Sequence, residues 1–348
     1  FLCALLNSVP ICDIKMERFL TMVRRTMLEA ATRMTVSDGE VGTVLDFYAA
    51  MARQCFINEY VYSYTDDEIL KASDLRDSMV AALEAKTQIP ALWPVAVAAY
   101  FPLRSLPFAS QLLEWQWPDA VAAVLVQQIR EPEEELQLRA TIPRLTNIED
   151  DVSLLVQSQY EENPYPRWIK AEPARPAVNI VRYLCQRFPL SSFNRHDENG
   201  NIKILIAGCG TGQQPIGTAM QFQGAQVLAV DLSMSSLAYA KRKTLELVLT
   251  SIEYAQADLM ELGSRLGASF DVIESVGVLH HLADPLAGWR VLLSLLRPSG
   301  FMKLGFYSEV ARRNIVRIRT LIAEQGYNST VEDIRQCRQD LMDLDESA

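Results

Sequence analysis

The sequence predicts an α/β domain with a doubly wound parallel sheet, preceded by an all-α domain. From residue 202 onward, apolar and β-branched strands alternate with amphipathic helices. Residues 1–150 instead carry apolar side chains at three- and four-residue spacing. Strand–helix alternation favours a parallel sheet covered by helices on both faces. We therefore predict a helical domain at 1–150, a connector or lid at 151–200, and the sheet domain at 201–348, incomplete at its C-terminal end.

Length and composition restrict the class of protein. The 348 residues suffice for two domains, and a content of 49% hydrophobic and 22% charged residues is typical of a globular protein. The net charge is −10 and the Lys and Arg residues are scattered, so we expect no nucleic-acid partner. The stretch PALWPVAVAAYFPL is too short and too interrupted by proline to cross a bilayer, and it predicts a buried helix instead.

The cysteine and histidine content argues against a metal centre. The six cysteines are widely spaced without a CxxC pair, and there are only three histidines, so no zinc framework is expected. A disulfide scaffold is not expected in a chain of this length, which favours a reducing compartment and a cytoplasmic location.

The N-terminal region divides into helices with recognisable starts. Capping boxes are predicted at Ser37 with Glu40 and at Thr65 with Glu68, while the acidic run Glu131–Glu135 predicts a solvated turn. No 34-residue period is evident, so we do not predict a repeat array. The predicted helical segments are MERFLTMVRRTMLEAATRM, VGTVLDFYAAMARQCF, ILKASDLRDSMVAALEA and PDAVAAVLVQQI.

The C-terminal half reads as an ordered series of strands and helices. A polar turn, RHDENGN, precedes the first strand, and the turn RPSG precedes the last one. The predicted strands are KILIAG, AQVLAVD, SIEYAQAD, FDVIES and GFMKLGFYS. The predicted helices are QPIGTAMQF, SSLAYAKRKTLEL, DPLAGWRVLLSLL and ARRNIVRIRTLIAEQ, followed by the charged segment EDIRQCRQDLMDLDESA.

A glycine-rich loop follows the first strand, in the segment ILIAGCGTGQQ. Glycines at alternate positions leave the backbone bare where a ligand can approach the start of a helix. A dinucleotide motif, GxGxxG, would place its third glycine at Gln213, so a nicotinamide-dependent oxidoreductase is the less favoured reading. The three glycines are Gly208, Gly210 and Gly212.

Two carboxylates end the next two predicted strands. Asp231 ends AQVLAVD, where a carboxylate can accept both hydroxyl protons of a ribose. Asp258 ends SIEYAQAD and precedes Leu259, a pairing that suits the amino group and ring face of an adenine. The alternative for Asp258 is that it only caps the next helix. For Cys209, the small size of the side chain rather than its thiol explains its place in the loop.

These motifs resemble class I S-adenosylmethionine-dependent methyltransferases over residues 200–310. The resemblance rests on ILIAGCGTG, VLAVDLS, YAQADLMEL and FDVIESVGVLHHLADPLAGWRVLLSLLRPSGFMKLGFYS. The segments YEENPYPRW and QCFINEY further resemble a bacterial type-12-like branch that is often associated with tetratricopeptide repeats. The resemblance implies a Rossmann-like, seven-stranded sheet that binds S-adenosylmethionine and transfers its methyl group. The cofactor-binding residues that it implies are Gly208, Cys209, Gly210, Thr211, Gly212, Gln213, Asp231, Leu232, Asp258 and Leu259.

The chain departs from the family pattern in two places. Ile206 stands where most of the family has an acid, so we assign the cofactor's ammonium group to Glu274, or alternatively to Glu161 and Glu162. The last two strands of the fold are not recognisable after GFMKLGFYS. We therefore expect the sequence to be a fragment of a longer chain.

The chemistry of methyl transfer requires little from side chains. An activated sulfonium methyl needs mainly alignment with its acceptor, and no nucleophile triad is found. His280 and His281 follow the fourth strand and are the candidates for a catalytic base. The alternative, which we favour, is that they shape the loop beneath the cofactor.

The connector carries the second candidate site, the segment YEENPYPRW. Its prolines fix an extended path, and Tyr160, Tyr165, Arg167 and Trp168 offer amphipathic surface. We interpret it as a lid over the cofactor and acceptor, with a linker pinned to the sheet by its aromatic rings as the alternative.

The expected function is S-adenosylmethionine-dependent methyl transfer to a nitrogen, oxygen or sulfur acceptor. The large helical addition favours a protein or peptide acceptor, and a small-molecule acceptor is the alternative. A third class is a protein that binds the cofactor without turnover. The sequence does not indicate the acceptor or the oligomeric state.

Overall fold

The computed structural model describes residues 1–35, 42–171, 176–190, 202–328 and 330–346. The chain divides into two compact units, each described separately below. The helical unit comprises Phe1–Glu133, Arg167–Ile169 and Arg313–Ala348, and the sheet unit comprises Glu134–Pro166 and Lys170–Arg312. This division assigns the last 36 residues to the helical unit, whereas the sequence-based limits place them in the sheet domain.

Fifteen α-helices are present in the described residues. They are α1 Leu2–Leu6, α2 Ile14–Arg33, α3 Gly42–Ile57, α4 Asp66–Glu84, α5 Leu92–Ala98, α6 Asp119–Leu125, α7 Glu131–Arg139, α8 Asp151–Glu162, α9 Ile180–Arg187, α10 Gln213–Gln221, α11 Met234–Glu246, α12 Leu262–Arg265, α13 Pro285–Leu295, α14 Arg313–Gln325 and α15 Val331–Glu346. The predicted helices of the N-terminal region and of the sheet domain coincide with members of this series. The predicted connector also contains helix, because α8 and α9 both lie within it.

The capping box predicted at Thr65 is half formed. The Thr65 side chain accepts a hydrogen bond from the Glu68 backbone N–H at 3.2 Å, which starts α4. The Glu68 carboxylate does not return to Thr65: it accepts from the Tyr100 hydroxyl at 2.5 Å and pairs with Arg24 at 3.0 Å. The predicted box at Ser37 lies outside the described residues.

A buried ion pair stands inside the apolar core of the helical unit. Arg24 is 1% exposed, and its guanidinium lies 4.6 Å from the centre of the Tyr100 ring. A buried cation is tolerated only with partners, and Glu68 together with the Ser63 carbonyl supplies them. The predicted buried helix at PALWPVAVAAYFPL is confirmed as α5, which lies in the same core.

The charged C-terminal segment forms α15 in the helical unit. Arg335 donates to the Tyr64 hydroxyl at 2.6 Å and to the Tyr60 carbonyl at 3.1 Å, and Arg338 pairs with Glu17. These contacts explain why the last residues group with the N-terminal helices although they follow the sheet in sequence.

The prediction of a turn at Glu131–Glu135 is wrong. These residues form the first turns of α7, which continues directly from a π-helical segment at Val126–Arg130. Pro132 lies just after this π-helical segment, where the α-helical hydrogen-bond pattern is already interrupted, so its missing N–H does not end the helix. Glu135 is also less solvated than predicted, because it pairs with the buried Arg242 at 2.9 Å.

The sheet unit contains a five-stranded parallel sheet with the order β5-β4-β2-β6-β7. A separate two-stranded sheet pairs β1 with β3. The strands are β1 Val178–Asn179, β2 Ile202–Ala207, β3 Phe222–Gln223, β4 Ala225–Asp231, β5 Ile252–Gln256, β6 Phe270–Val276 and β7 Leu296–Gly305. All five predicted strands are confirmed, and the alternation with helices confirms the α/β class.

The last strand begins earlier than predicted. The RPSG segment belongs to β7 itself, beside a register irregularity opposite Phe270 and Val272 in β6. After β7 the described residues form only helices α14 and α15, so this sheet has five strands where the family resemblance implies seven. Among the described residues, no helix has the length and apolar character needed to cross a bilayer.

Gly212 is required by packing at the start of α10. Its φ is +89°, and a β-carbon there would stand 2.6 Å from the Ala240 β-carbon of α11. We expect Gly212→Ala to lower the stability of the sheet unit by about 1–3 kcal/mol, because the substitution adds backbone strain and a steric overlap. Thermal unfolding followed by circular dichroism measures the loss.

Gly217 provides the matched control in the same helix. It is exposed, and a β-carbon there would meet nothing within 4 Å. Gly217→Ala should therefore stabilise by about 0.5–1 kcal/mol through helix propensity. Equal melting temperatures for the two variants would contradict the packing argument.

Candidate functional site

A cavity of about 330 Å³ opens at the carboxyl ends of the sheet strands, within the sheet unit. This is where parallel α/β sheets bind ligands. Its lining comes from α8 and the segment after it, the glycine loop, the first turns of α10 and α11, and residues at or after the ends of β4, β5, β6 and β7. The sequence-predicted residues in its lining are Tyr160, Tyr165, Gly208, Cys209, Gly210, Thr211, Gln213, Asp231, Leu232, Asp258, Leu259 and His281.

The glycine loop turns sharply between β2 and α10. Gly208 and Gly210 have φ values of +78° and +50°, which side chains rarely adopt. A β-carbon on Gly208 would overlap the side chain of Val278, so the bare backbone is needed on packing grounds as well. Gly212 is absent from the described cavity lining, and its contact with α11 makes its role structural.

Asp231 connects the end of β4 to the glycine loop. One carboxylate oxygen accepts the Gly210 N–H at 2.7 Å, and the other accepts the Ser233 N–H at 3.0 Å. Burial raises the pKa of Asp231, and the two N–H donors oppose that rise. Each oxygen keeps a further lone pair, so the carboxylate can still accept the hydroxyls of a bound ribose.

Asp258 forms the helix cap that the sequence leaves open, and its assignment to an adenine stays a prediction. It lines the cavity at 3% exposure, and one carboxylate oxygen accepts the Met260 N–H at 2.9 Å to start the next helical turn. Its backbone N–H donates to the Thr146 hydroxyl at 2.8 Å, which fixes its position. Asp258 is thus a capping residue that also faces the cavity.

Glu274 is absent from the described lining of the cavity. It is 5% exposed, and one oxygen of its carboxylate accepts from the Gln214 amide at 2.6 Å and pairs with the Lys303 ammonium at 3.2 Å. Gln214 itself lines the cavity. The assignment of Glu274 to a cofactor ammonium stays a prediction. In the structure, Gln214 is the lining residue to which Glu274 is bonded.

The alternative acids Glu161 and Glu162 have other surroundings. The Glu161 carboxylate pairs with Arg139 at 2.5 Å and accepts from the Ser235 hydroxyl at 2.6 Å at the start of α11. Negative charge is favourable at a helix N-terminus, which explains this position. Glu162 is exposed. Neither lies in the described lining of the cavity.

The first seven residues of YEENPYPRW are bonded through backbone carbonyls to the glycine loop and to the residues before α11. The Pro166 carbonyl accepts from the Thr211 hydroxyl at 2.6 Å, and the Tyr160 carbonyl accepts from the Ser233 hydroxyl at 2.9 Å. These bonds place the rings of Tyr160 and Tyr165 in the cavity lining. Both the lid and the pinned linker remain compatible with them.

Arg167 and Trp168, the last two residues of the segment, belong to the helical unit. Arg167 pairs with Glu59 at 2.5 Å, and its guanidinium lies 5.0 Å from the centre of the Phe56 ring. Trp168 is only 3% exposed. The proposed lid function for these two residues therefore lacks the exposed surface on which the sequence interpretation relied.

The two histidines differ in position. His281 lines the cavity, whereas His280 is absent from its described lining and packs with ring-centre distances of 4.3 Å to His281 and 4.1 Å to Tyr307. Tyr307 is also in the lining, and the Arg312 guanidinium lies 3.7 Å from its ring centre. His281 is thus the better placed of the two for a catalytic base, and His280 is the better candidate for the structural role.

Several lining residues were missed by the sequence interpretation. The hydroxyl of Ser236 is buried with no hydrogen-bond partner among the described residues, so it is available to a ligand. It lies on the first turn of α11, five positions after Asp231. Its place on the helix that follows the Asp231 strand is the sequence signal that could have identified it. The other missed residues include Val152, Ser153, Val156, Gln214, Val278, Leu282 and Tyr307. Those from α8 carried no local signal.

No group of His, Cys, Asp and Glu side chains suited to hold a metal ion occurs within the described ranges. The cavity offers carboxylates, amides, hydroxyls and bare backbone, which are groups that recognise a nucleoside with a zwitterionic tail. This set of groups fits S-adenosylmethionine.

Residues 205–302 match a family model described as a methyltransferase domain. This part of the chain is therefore a methyltransferase domain, and the match confirms the resemblance to class I S-adenosylmethionine-dependent methyltransferases. It begins in β2 and ends in β7, so it encloses the glycine loop, Asp231, Asp258 and Glu274.

Similar proteins are found among curated sequences and solved structures. The chain is 31% identical to an uncharacterized protein of Synechococcus sp. over 50% of this chain and 42% of that one. It is 33% identical to a ubiquinone biosynthesis O-methyltransferase of Xanthomonas campestris over 40% of this chain and 55% of that one. The structure of PKMT2 from Rickettsia typhi in complex with AdoHcy is similar with a TM-score of 0.36 and 23% identity, over 42% of this chain and 28% of that one. The chain spans about half the length of these curated relatives.

Cys209 should be chemically inert despite its place in the loop. Burial, followed by the nearby charge of Asp231, raises the pKa of the Cys209 thiol well above its ordinary value. Because the thiolate is the reactive form, the native protein at pH 8 should alkylate at Cys209 at least ~100-fold more slowly than at the exposed Cys12. Iodoacetamide labelling followed by peptide mass spectrometry measures both rates, and comparable rates would contradict the assignment.

Proposed function

We propose that this protein is an S-adenosylmethionine-dependent methyltransferase. The observation that carries the proposal is the order of groups along the sheet edge: Asp258 after β5, Asp231 at the end of β4, and the glycine loop after β2. Because these strands are neighbours in that order, an adenine, a ribose and a sulfonium tail can be matched by successive groups.

The residues present fit the cofactor part by part. Asp231 would accept the ribose hydroxyls, and Asp258 with Leu259 would meet the adenine amino group and ring face. The bare backbone at Gly208 and Gly210 would lie against the amino-acid portion, where a β-carbon would strain the loop. The unpartnered Ser236 hydroxyl adds one more donor and acceptor for the nucleoside.

When bound, the cofactor supplies an activated methyl group on a sulfonium. The protein's contribution is then to align the acceptor with that methyl and to exclude water, and alignment is worth about 7–11 kcal/mol of the barrier. Tyr160 and Tyr165 cover the cavity on the connector side. His281 would accept a proton from an acceptor that must lose one.

The acceptor is proposed to reach in from outside the cavity. A volume of about 330 Å³ is at the lower end of the range for ligand pockets, which leaves little space to enclose an acceptor together with the cofactor. This supports an acceptor group on a larger molecule, such as a peptide side chain. The name of the Xanthomonas relative supports a small-molecule oxygen acceptor as the second candidate.

Calorimetry and a transfer assay test the proposal together. We expect S-adenosylmethionine and S-adenosylhomocysteine to bind with one site per chain, and NADH not to bind. Incubation of radiolabelled S-adenosylmethionine with cell extract and the protein should label material that can be resolved by size. Label in protein supports the peptide acceptor, and label in small molecules supports the second candidate. Binding without transfer would show a non-catalytic protein.

Cofactor affinity should fall as the medium becomes acidic. The pKa of Asp231 is raised above the ordinary value near 3.9, and the ionised carboxylate is the form that accepts ribose hydroxyls. As pH falls through this raised pKa, the binding form is lost, and the dissociation constant should rise up to about tenfold per pH unit. Calorimetric titrations between pH 7.5 and 4.5, with circular dichroism to verify folding, measure the change.

The variant Asp231→Asn is the control for this pH dependence. It keeps an acceptor oxygen but has no charge to lose, so its weaker binding should not change over the same pH range. An identical pH profile for the variant and the unmodified chain would assign the effect to another group.

A further inference from the structure

The cavity lacks a carboxylate in its described lining at one end. Two carboxylates, Asp258 and Asp231, line the part next to β5 and β4. A ligand whose adenosyl group lies over these strands extends its amino-acid tail towards β2 and β6, because the strand order is β5-β4-β2-β6. At that end the side chains in the lining include Gln213 and Gln214, and the tail's ammonium needs an acceptor there.

A buried acid that is absent from this described lining, Glu274, is hydrogen-bonded to one of the lining residues. Glu274 in β6 is the register partner of Ile206 in β2, so the two side chains leave the sheet on the same face. Its carboxylate oxygen is 2.6 Å from the amide nitrogen of Gln214. A carboxylate can only accept, so the bond also fixes which end of the Gln214 amide faces Glu274.

We propose that Gln214 is the residue that receives the cofactor's ammonium group, and that Glu274 is the positioning residue that orients and polarises its amide. With the amide N–H₂ group held by the carboxylate, the amide oxygen is the end available to the cavity. No hydrogen bond to this oxygen is present among the described residues. This inference rests on the proposed function, since it assigns one part of the same ligand.

The charges of the Glu274 carboxylate, the Gln214 amide and the ammonium group favour this arrangement. The Glu274 carboxylate polarises the amide, which increases the negative partial charge on the Gln214 oxygen, and hydrogen bonds in such a chain strengthen one another. Gln214 lies on the first turn of α10, where the helix dipole by itself disfavours a cation. A neutral amide backed by a buried acid therefore offers an ammonium an acceptor at a helix start.

Three nucleoside ligands separate this inference from the proposed function. S-adenosylhomocysteine has the complete tail, S-adenosyl-3-thiopropylamine keeps the ammonium but has no carboxylate, and 5′-methylthioadenosine has no tail. We expect Gln214→Leu and Glu274→Gln each to weaken the first two ligands about tenfold, which is the size of one hydrogen bond to a charged group. Binding of 5′-methylthioadenosine should change less than about twofold. The double variant should be no weaker than the Gln214→Leu variant, because Glu274 acts through Gln214.

Matched substitutions control for charge and helix effects. Gln221→Leu changes an exposed glutamine in the same helix, and Glu253→Gln changes an exposed glutamate in β5. Both should leave all three affinities unchanged.

The outcomes distinguish the two proposals. Equal weakening of all three ligands, or no weakening of any, would overturn the role of Gln214 while leaving the nucleoside site intact. Loss of the first two ligands in Glu274→Gln alone would assign the ammonium to Glu274 directly and would also overturn the relay. Failure of the unmodified protein to bind any of the three would instead contradict the proposed function.

Discussion

The two hydrogen bonds accepted by the Asp231 carboxylate are the constraint on which the cavity depends. One oxygen holds the Gly210 N–H and the other holds the Ser233 N–H, so a single side chain fixes the glycine loop and the start of α11. Burying a carboxylate is unfavourable without such partners. The same donors that shape the loop hold the carboxylate in place, and they oppose the rise in the pKa of Asp231 that its burial causes.

Backbone conformation transmits this constraint to the rest of the cavity wall. The Gly210 N–H donates to Asp231 from a turn with positive φ values, which glycine permits. The next residue, Thr211, then donates its hydroxyl to the Pro166 carbonyl, which positions the connector over the loop. Within this segment, the side chains of Tyr160 and Tyr165 are in the described lining of the cavity.

The sequence was sufficient where the signal is local. All five strands, the glycine loop and the two strand-end acids follow from apolar, β-branched runs that alternate with helices and from residue chemistry. The contribution of α8, the pairing of Glu68 with Arg24, and the helix at Glu131–Glu135 depend on residues distant in sequence. Periodicity cannot report such contacts, because they arise only when separate elements pack together. The assignments of individual cavity residues to parts of a cofactor remain predictions.

Glu274 on β6 and Ile206 on β2 are register partners, so an acid at either position points to the same face of the sheet. In a parallel sheet, register partners point to the same face, so exchanging Ile206 for an acid on β2 or placing the acid at Glu274 on β6 directs charge to the same side. On β6, one oxygen of the Glu274 carboxylate already accepts a hydrogen bond from the Gln214 amide. Lys303 on β7 is the register partner of Glu274 and pairs with it, although its side chain is 66% exposed. The buried Glu274 on β6 thus has a counter-ion, Lys303, on the adjacent strand β7. An acid at position 206 would not be adjacent to β7, because β6 lies between β2 and β7.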